Sequence, residues 1–341
     1  MPLDYQRRLQ SLQNRRFDNE LNESALSKLF SSTSIPPNIK YLMESMRAID
    51  KKYNDRTIEA AERVKTHLES NLNLHFKRAY RAQGSVTTLT NIKVHSDYDL
   101  LTIVDRYFFV APDVPNDSPY TETDPNSDIK ELRKQSEKIM TEKYDIVDKT
   151  GVKSISIFNK NLSRKVDIVF CFWYNIKKYE ETKNEYYRGI NLFDFQKEQR
   201  IVDYPFAHIS AVNDKGSNTN DGSKKAIRLL KNLKADSNVE IGLSSFHLTT
   251  IIHSIENSNI FYYQGKELNI AKETSKQLGK IISDDSFRKS IESPNGTEKP
   301  LQDDKLILEM QKLKSDLDLL IEDVSKEFYY NYFETKQLIY S

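Results

Sequence analysis

The chain has a single cysteine, Cys171, among 341 residues. That excludes an internal disulfide and any zinc site built on several thiolates. Cys171 lies inside the apolar run VDIVFCFWY, where a thiol behaves as a small buried hydrophobe and not as a nucleophile. No stretch approaches the ~20 continuous apolar residues that span a bilayer. The first residues, MPLDYQRRLQSLQNRRFDNE, lack the apolar centre of a secretory signal. A soluble, cytoplasmic protein with no membrane partner is therefore expected. Basic excess is missing too, because 51 Lys and Arg against 50 Asp and Glu leave a formal net charge of +1. Proteins that track nucleic acid draw most of their affinity from phosphate neutralisation, so this balance speaks against a nucleic-acid track.

With 38% hydrophobic and 30% charged residues, the composition suits a globular protein with a heavily solvated surface. The length fits two domains. A polar opening with the loop SSTSIPPN leads to a short helix, IKYLMESMRAID. A longer one follows over NDRTIEAAERVKTHLESNL, with Ile58, Ala61, Val64 and Leu68 at helical spacing. HFKRAYRAQGS and DYDLLTIVDRYFFV read as strands, and VKSISIFN and KVDIVFCFWYN as a hairpin. Beyond about residue 200 the chain turns helical. Its last helix carries Leu306, Met310, Leu313, Leu317, Leu320 and Val324 at alternating spacings of four and three. That repeat covers too few heptads for a coiled coil and reads as the core stripe of a helical domain. The expected class is α+β: a mixed α/β half over residues 1–205, then a helical half over 206–341.

The chemistry concentrates in QGSVTTLTNIKVHSDYDLLTIVD. Asp97 and Asp99 are two apart at the mouth of a strand, so both leave one face while Tyr98 leaves the other. At about 4 Å and an effective dielectric near 20, two such charges repel by on the order of 4 kcal/mol. A hard divalent cation, Mg²⁺ or Mn²⁺, is the natural compensator. At Gly84-Ser85 a glycine lets backbone approach a phosphate closely, and the following N–H groups and the serine hydroxyl are suited to grip it. Asp167, directly before a second apolar strand in KVDIVFCFWY, supplies the third acid. Three carboxylates suit two metal ions about 3.5–4 Å apart, which clamp the attacking and leaving oxygens of a phosphoryl displacement.

A Gly-Ser turn, an Asp-x-Asp on the next strand and a third Asp on a later strand resemble the polymerase-β nucleotidyltransferase superfamily. RIVDYPFAHISAVNDK, DGSKKAIRLLKNLKAD and IGLSSFHLTTIIHSI narrow the resemblance to the cGAS/DncV-like bacterial nucleotidyltransferases, over roughly residues 55 to 260. It implies a polymerase-β-like core followed by a helical bundle, with the active site in a cleft between them. It also implies that Lys231, and Ser244 or Ser245, touch donor phosphates. Lys224, Arg228 and Lys231 share a face of their helix, opposite the apolar Ala226, Leu229, Leu230 and Leu233.

The implied activity joins ribonucleoside triphosphates, ATP among them, into a cyclic di- or trinucleotide with release of pyrophosphate. The product would act on a separate effector protein in bacterial anti-phage signalling. Animal members of the group sense DNA through a zinc-binding thumb of His and Cys, which one cysteine does not permit here. His95, in the loop before the acids, reads as incidental. Tyr107, Trp173, Tyr174, Tyr204 and Phe206 are available to stack on a base, though most are expected in the core. Two rivals share the acids: a template-independent RNA nucleotidyltransferase, which predicts a basic track, and a non-catalytic scaffold, which would be free to relieve the repulsion among the three acids.

Overall fold

The computed structural model describes residues 2–16, 35–94, 96, 98–115 and 124–340, the last thirteen of these by backbone alone. The chain divides into two compact units, Ile49–Ala211 on one hand and Met1–Ala48 with Val212–Ser341 on the other. The expected single cut after residue 205 is thus replaced by two cuts.

The α/β unit is built on a seven-stranded mixed sheet. Its strands are β1 Arg78–Gln83, β2 Asp99–Val110, β3 Ile146–Asp148, β4 Ser154–Asn159, β5 Arg164–Asn175, β6 Gly189–Asp194 and β7 Gln199–Asp203. The order β1-β2-β5-β4-β3 is continued by β6, which also pairs with β5, and by β7 beyond it. Among the described residues only β2 and β5 run parallel. On its edge away from β2, β5 pairs with β4 through its first half and with β6 through its second.

Alternation along these strands separates two cores. Leu100, Val104, Val166, Ile168, Phe170 and Phe172 belong to a large cluster with residues of two helices, α3 (Lys51–Asn71) and α4 (Pro125–Lys143). Leu101, Ile103, Cys171 and Trp173 form a smaller cluster with Ile190. Helix α3 starts at Lys51 because the Asp50 side chain caps it, accepting from the Lys52 N–H at 3.1 Å. Its buried stripe runs through Thr57, Ala60, Ala61, Val64 and Leu68, while Ile58 is 42% exposed. The expected stripe was therefore off by one position at its start. Helix α6 (Pro205–Asn218) follows β7, and the division between Ala211 and Val212 falls within it; α5 is a single short turn, Lys177–Thr182.

The helical unit comprises α1 Tyr5–Arg16, α2 Pro37–Met46, α7 Gly222–Asp236, α8 Ser245–His253, α9 Glu267–Ser283, α10 Asp285–Ser290 and α11 Lys305–Tyr340. Leu306, Met310, Leu313, Leu317, Leu320 and Val324 of α11 are all buried in one core with Leu12, Tyr41, Leu42 and the apolar face of α7. The stripe read from the sequence is core, as expected. Helices α1 and α2 join this unit by buried polar links as much as by apolar ones. Arg16 donates to the carbonyls of Glu44 and Ala48, and Asp236 of α7 receives both Arg15 and the Tyr41 hydroxyl. Among the described residues no helix is long and apolar enough to cross a membrane.

Candidate active site

The site grows from one line of register across the sheet. Gln83 of β1 pairs with Asp99 of β2, Asp99 with Asp167 of β5, and Asp167 with Ser156 of β4. Residues directly opposite in a ladder leave the same face, so Asp99 and Asp167 project side by side from adjacent parallel strands about 4.8 Å apart. The Asp167 N–H donates to the Tyr98 carbonyl at 2.9 Å, fixing the start of β2 against β5. Both acids are half-buried. Asp97, expected with Asp99 and Asp167 as one of three metal-binding acids, lies outside the described residues, as does His95.

Asp167 has a partner on each carboxylate oxygen. The Ser156 hydroxyl donates to Oδ1 across the β4–β5 pair. Lys165, two residues earlier on β5, places Nζ 3.1 Å from Oδ2. Neither neighbour stands out in the sequence: Ser156 meets the acid only through strand pairing, and Lys165, two residues before it on the same strand, reads as an ordinary solvated lysine. Their one visible signal is polarity at a strand position facing Asp167.

Beside Asp99, β1 ends at Gln83 and the chain turns at Gly84 with φ +105°. Residues with a Cβ rarely adopt that angle, so glycine is required here. The turn is closed locally: Thr87 donates to the Gly84 carbonyl from N at 3.2 Å and from its hydroxyl at 2.7 Å, and Thr90 N donates to the Ser85 carbonyl at 3.0 Å. Gly84 and Ser85 are thus next to the Asp99 end of the register line.

The remaining predicted residues belong to the helical unit. Lys231 sits on α7, partly buried, and burial pushes its ammonium down to about 8. Its expected companions turn elsewhere. Arg228 is buried and donates to the Met46 carbonyl and to Asp221, both at 2.6 Å; Lys224 donates to Asn213 at 2.7 Å. The basic face read on this helix is in part a set of structural ties. Ser244 is the N-cap of α8: its hydroxyl accepts from the His247 N–H at 3.1 Å, and His247 Nδ1 accepts from the Ser244 N–H at 3.1 Å. Ser245, the first residue of α8, is exposed. Of the two serines left open by the sequence, Ser244 caps α8 and Ser245 opens its first turn.

Among the aromatic candidates, Tyr107 donates to Asp128, and Trp173 donates to Asp105 at 2.7 Å under the stacked guanidinium of Arg188; both rings are buried. Tyr174 and Tyr204 pack edge-on against each other, and Phe206 packs at a tilt against Trp173. Cys171 is fully buried, and burial drives its thiol far above the usual range.

Paired half-buried carboxylates beside a glycine turn suit hard cations and a polyphosphate. Asp99 and Asp167 offer two oxygen-donor side chains of the type Mg²⁺ or Mn²⁺ prefers. Among the described residues no group of three metal-ligating side chains occurs, Asp97 being outside them.

No family model matches the chain. A cyclic dinucleotide synthase CdnE from Yersinia aleksiciae is 32% identical over 298 residues, covering 85% of this chain and 77% of that protein. A c-di-GMP synthase from a Lachnospiraceae bacterium is 35% identical over 258 residues, covering 67% and 72%. The solved STING-associated CdnE c-di-GMP synthase of Capnocytophaga granulosa superposes with a TM-score of 0.82 at 29% identity, covering 95% of this chain and all of that one. The chain belongs to the bacterial cGAS/DncV-like nucleotidyltransferases, in their CdnE branch. It is a nucleotidyltransferase that makes a cyclic oligonucleotide from nucleoside triphosphates.

Proposed function

We propose that this enzyme condenses two GTP molecules into cyclic di-GMP with release of two pyrophosphates, and that the product signals to a STING-type effector in anti-phage defence. Two observations support the guanine assignment. The Lachnospiraceae relative and the Capnocytophaga neighbour are both c-di-GMP synthases, and the latter is STING-associated. The sequence alone suggested ATP among the substrates; these relatives move the reading to GTP.

The observation that carries the chemistry is the in-register pair Asp99–Asp167 with Gly84 at its β1 side. Gly84 and Ser85 would bind the donor triphosphate, with Lys231 and Ser245 as further phosphate contacts. The acceptor hydroxyl then approaches from the Asp167 side, one strand further along. Asp97, Asp99 and Asp167 would hold two Mg²⁺ or Mn²⁺ ions, which polarise the attacking hydroxyl and neutralise charge on the leaving oxygen. In each step the hydroxyl oxygen bonds to the α-phosphorus, the bond to the β-phosphate bridging oxygen breaks, and the hydroxyl proton leaves to solvent. A second step of the same kind closes the ring. The chain's own contribution is alignment and charge placement, the usual source of phosphoryl-transfer catalysis.

The test is incubation of the purified protein with labelled ribonucleoside triphosphates, singly and together, with Mg²⁺ or Mn²⁺, then phosphatase treatment and chromatography. A phosphatase-resistant product from GTP alone supports the proposal. A product needing a second base overturns the guanine assignment, and label transferred only to added RNA overturns the cyclic product.

A further inference from the structure

The pairing of Lys165 with Asp167 points to a role that no motif carries. The two side chains share a face of β5, Lys165 Nζ lies 3.1 Å from Asp167 Oδ2, and the Ser156 hydroxyl holds Oδ1 from the neighbouring strand. The two holds differ in kind. Ser156 is neutral and fixed to β4, so it orients the carboxylate without competing for its charge. Lys165 is a cation on a flexible stem, 40% exposed, against a carboxylate only 15% exposed.

We propose that Lys165 is an exchangeable counter-cation for the third metal-binding acid: it neutralises Asp167 while no metal is bound and withdraws into solvent when a divalent ion takes Oδ2, so that it sets the metal affinity of the site. The inference rests on the assignment of Asp167 as a metal-binding acid. Two cations on one carboxylate oxygen repel at short range, so metal entry and the Lys165 contact exclude each other. The long, partly solvated side chain makes withdrawal easy, because its head group needs only to rotate into water. Ser156 keeps the carboxylate aimed during the exchange, as a hydroxyl in the outer shell of a metal site does. The same exchange keeps Asp99 and Asp167 side by side in the metal-free fold, because one of the two acids always has a cation against it. Lys165 is thus a positioning residue and not a group that touches the reacting atoms.

The experiment reads metal and not turnover. Mn²⁺ binding to the full chain is measured by titration calorimetry, or by the electron-paramagnetic signal of free Mn²⁺, with a non-hydrolysable methylene analogue of GTP present. Lys165→Met is expected to bind Mn²⁺ about two- to fivefold more tightly, the range a partly exposed ion pair supports, and Lys165→Arg no more tightly than the parent. Lys160→Met serves as control, since Lys160 is an exposed lysine of the same unit that pairs with exposed Asp145 and not with Asp99 or Asp167. Unchanged or weaker Mn²⁺ binding in Lys165→Met overturns the proposal, and so does equal tightening in Lys160→Met, which would make the effect one of net charge. Asp167→Asn separates the two levels of inference. If it lowers Mn²⁺ affinity while Lys165→Met does nothing, only the counter-cation role fails; if it leaves the affinity intact, the metal assignment of Asp167 fails with it.

Discussion

Arg15 and Asp236, 221 residues apart in sequence, meet in a two-pronged ion pair, with Arg15 nitrogens at 2.6 and 2.8 Å from the two carboxylate oxygens. The Asp236 side chain is fully buried and also accepts the Tyr41 hydroxyl at 2.9 Å. Removing the acid leaves a guanidinium and a phenol without their partner in the interior. Asp236→Ala should therefore cost about 3–5 kcal/mol of stability, read as a shift in the denaturant midpoint at constant slope. A loss below about 1 kcal/mol, within the range of an exposed pair, would show that α1 is not held by this contact.

Asp167→Asn should abolish synthesis and hardly alter folding. The partner it loses, Lys165, is well solvated, and such pairs contribute about 0.2–1 kcal/mol. The Asn carbonyl oxygen still accepts from Ser156. Product chromatography beside a denaturation curve checks both halves, and a large stability loss would make Asp167 a structural residue.

Gly84→Ala should damage catalysis more than the fold. Forcing a Cβ into φ +105° costs on the order of 1–3 kcal/mol of backbone strain, and the turn relieves it by moving the N–H groups that follow. At least a tenfold rise in the KM for GTP is expected, with kcat/KM falling alongside. An unchanged KM would remove Gly84-Ser85 from the phosphate site.

Lys231 gives a pH signature. Burial holds its ammonium near 8 in the free enzyme, and a bound triphosphate favours the charged form. As pH rises through 8 the free enzyme loses that charge, so the KM for GTP should climb, by up to tenfold per pH unit. Lys231→Met should raise KM at pH 7 and flatten the profile. The folding consequence has the opposite sense. The folded state disfavours the charged form, so this group's unfavourable contribution is full below pH 8 and fades as pH rises toward the unfolded value of about 10.4. A KM profile with no break near 8 in the parent enzyme would sever Lys231 from the phosphates.

Much of this architecture is legible in the sequence, for physical reasons. Asp99 and Asp167 stand out because a charge immediately before a buried strand contradicts the local pattern unless something compensates it. The stripe from Leu306 to Val324 stands out because a long helix against a core must repeat at 3.6 residues. What stays hidden is whatever depends on pairing between distant segments. Ser156 becomes a neighbour of Asp167 only through the pairing of β4 with β5. Helix α1 is written in Arg8, Arg15 and Arg16, which reads as a solvated segment until Asp316, Asp236 and Glu44 are found to receive those arginines. Hydrophobic periodicity does not detect an element that is buried through its charges. Strand β7 escaped for the reverse reason, since it is almost wholly exposed and has no buried face to impose a pattern.

The division of the chain into Ile49–Ala211 and a unit drawn from both ends sets an order of events during synthesis. The α/β unit is continuous and is complete once its last strand has left the ribosome. Helix α1 is made long before its partners on α11. Two of its partners, Asp316 and Asp323, lie 308 and 318 residues downstream, so at about 5–20 residues per second it waits for something like 15 to 60 seconds. During that interval Arg8 and Tyr5 stay hydrated, and their stretch of the nascent chain stays open to proteases and chaperones.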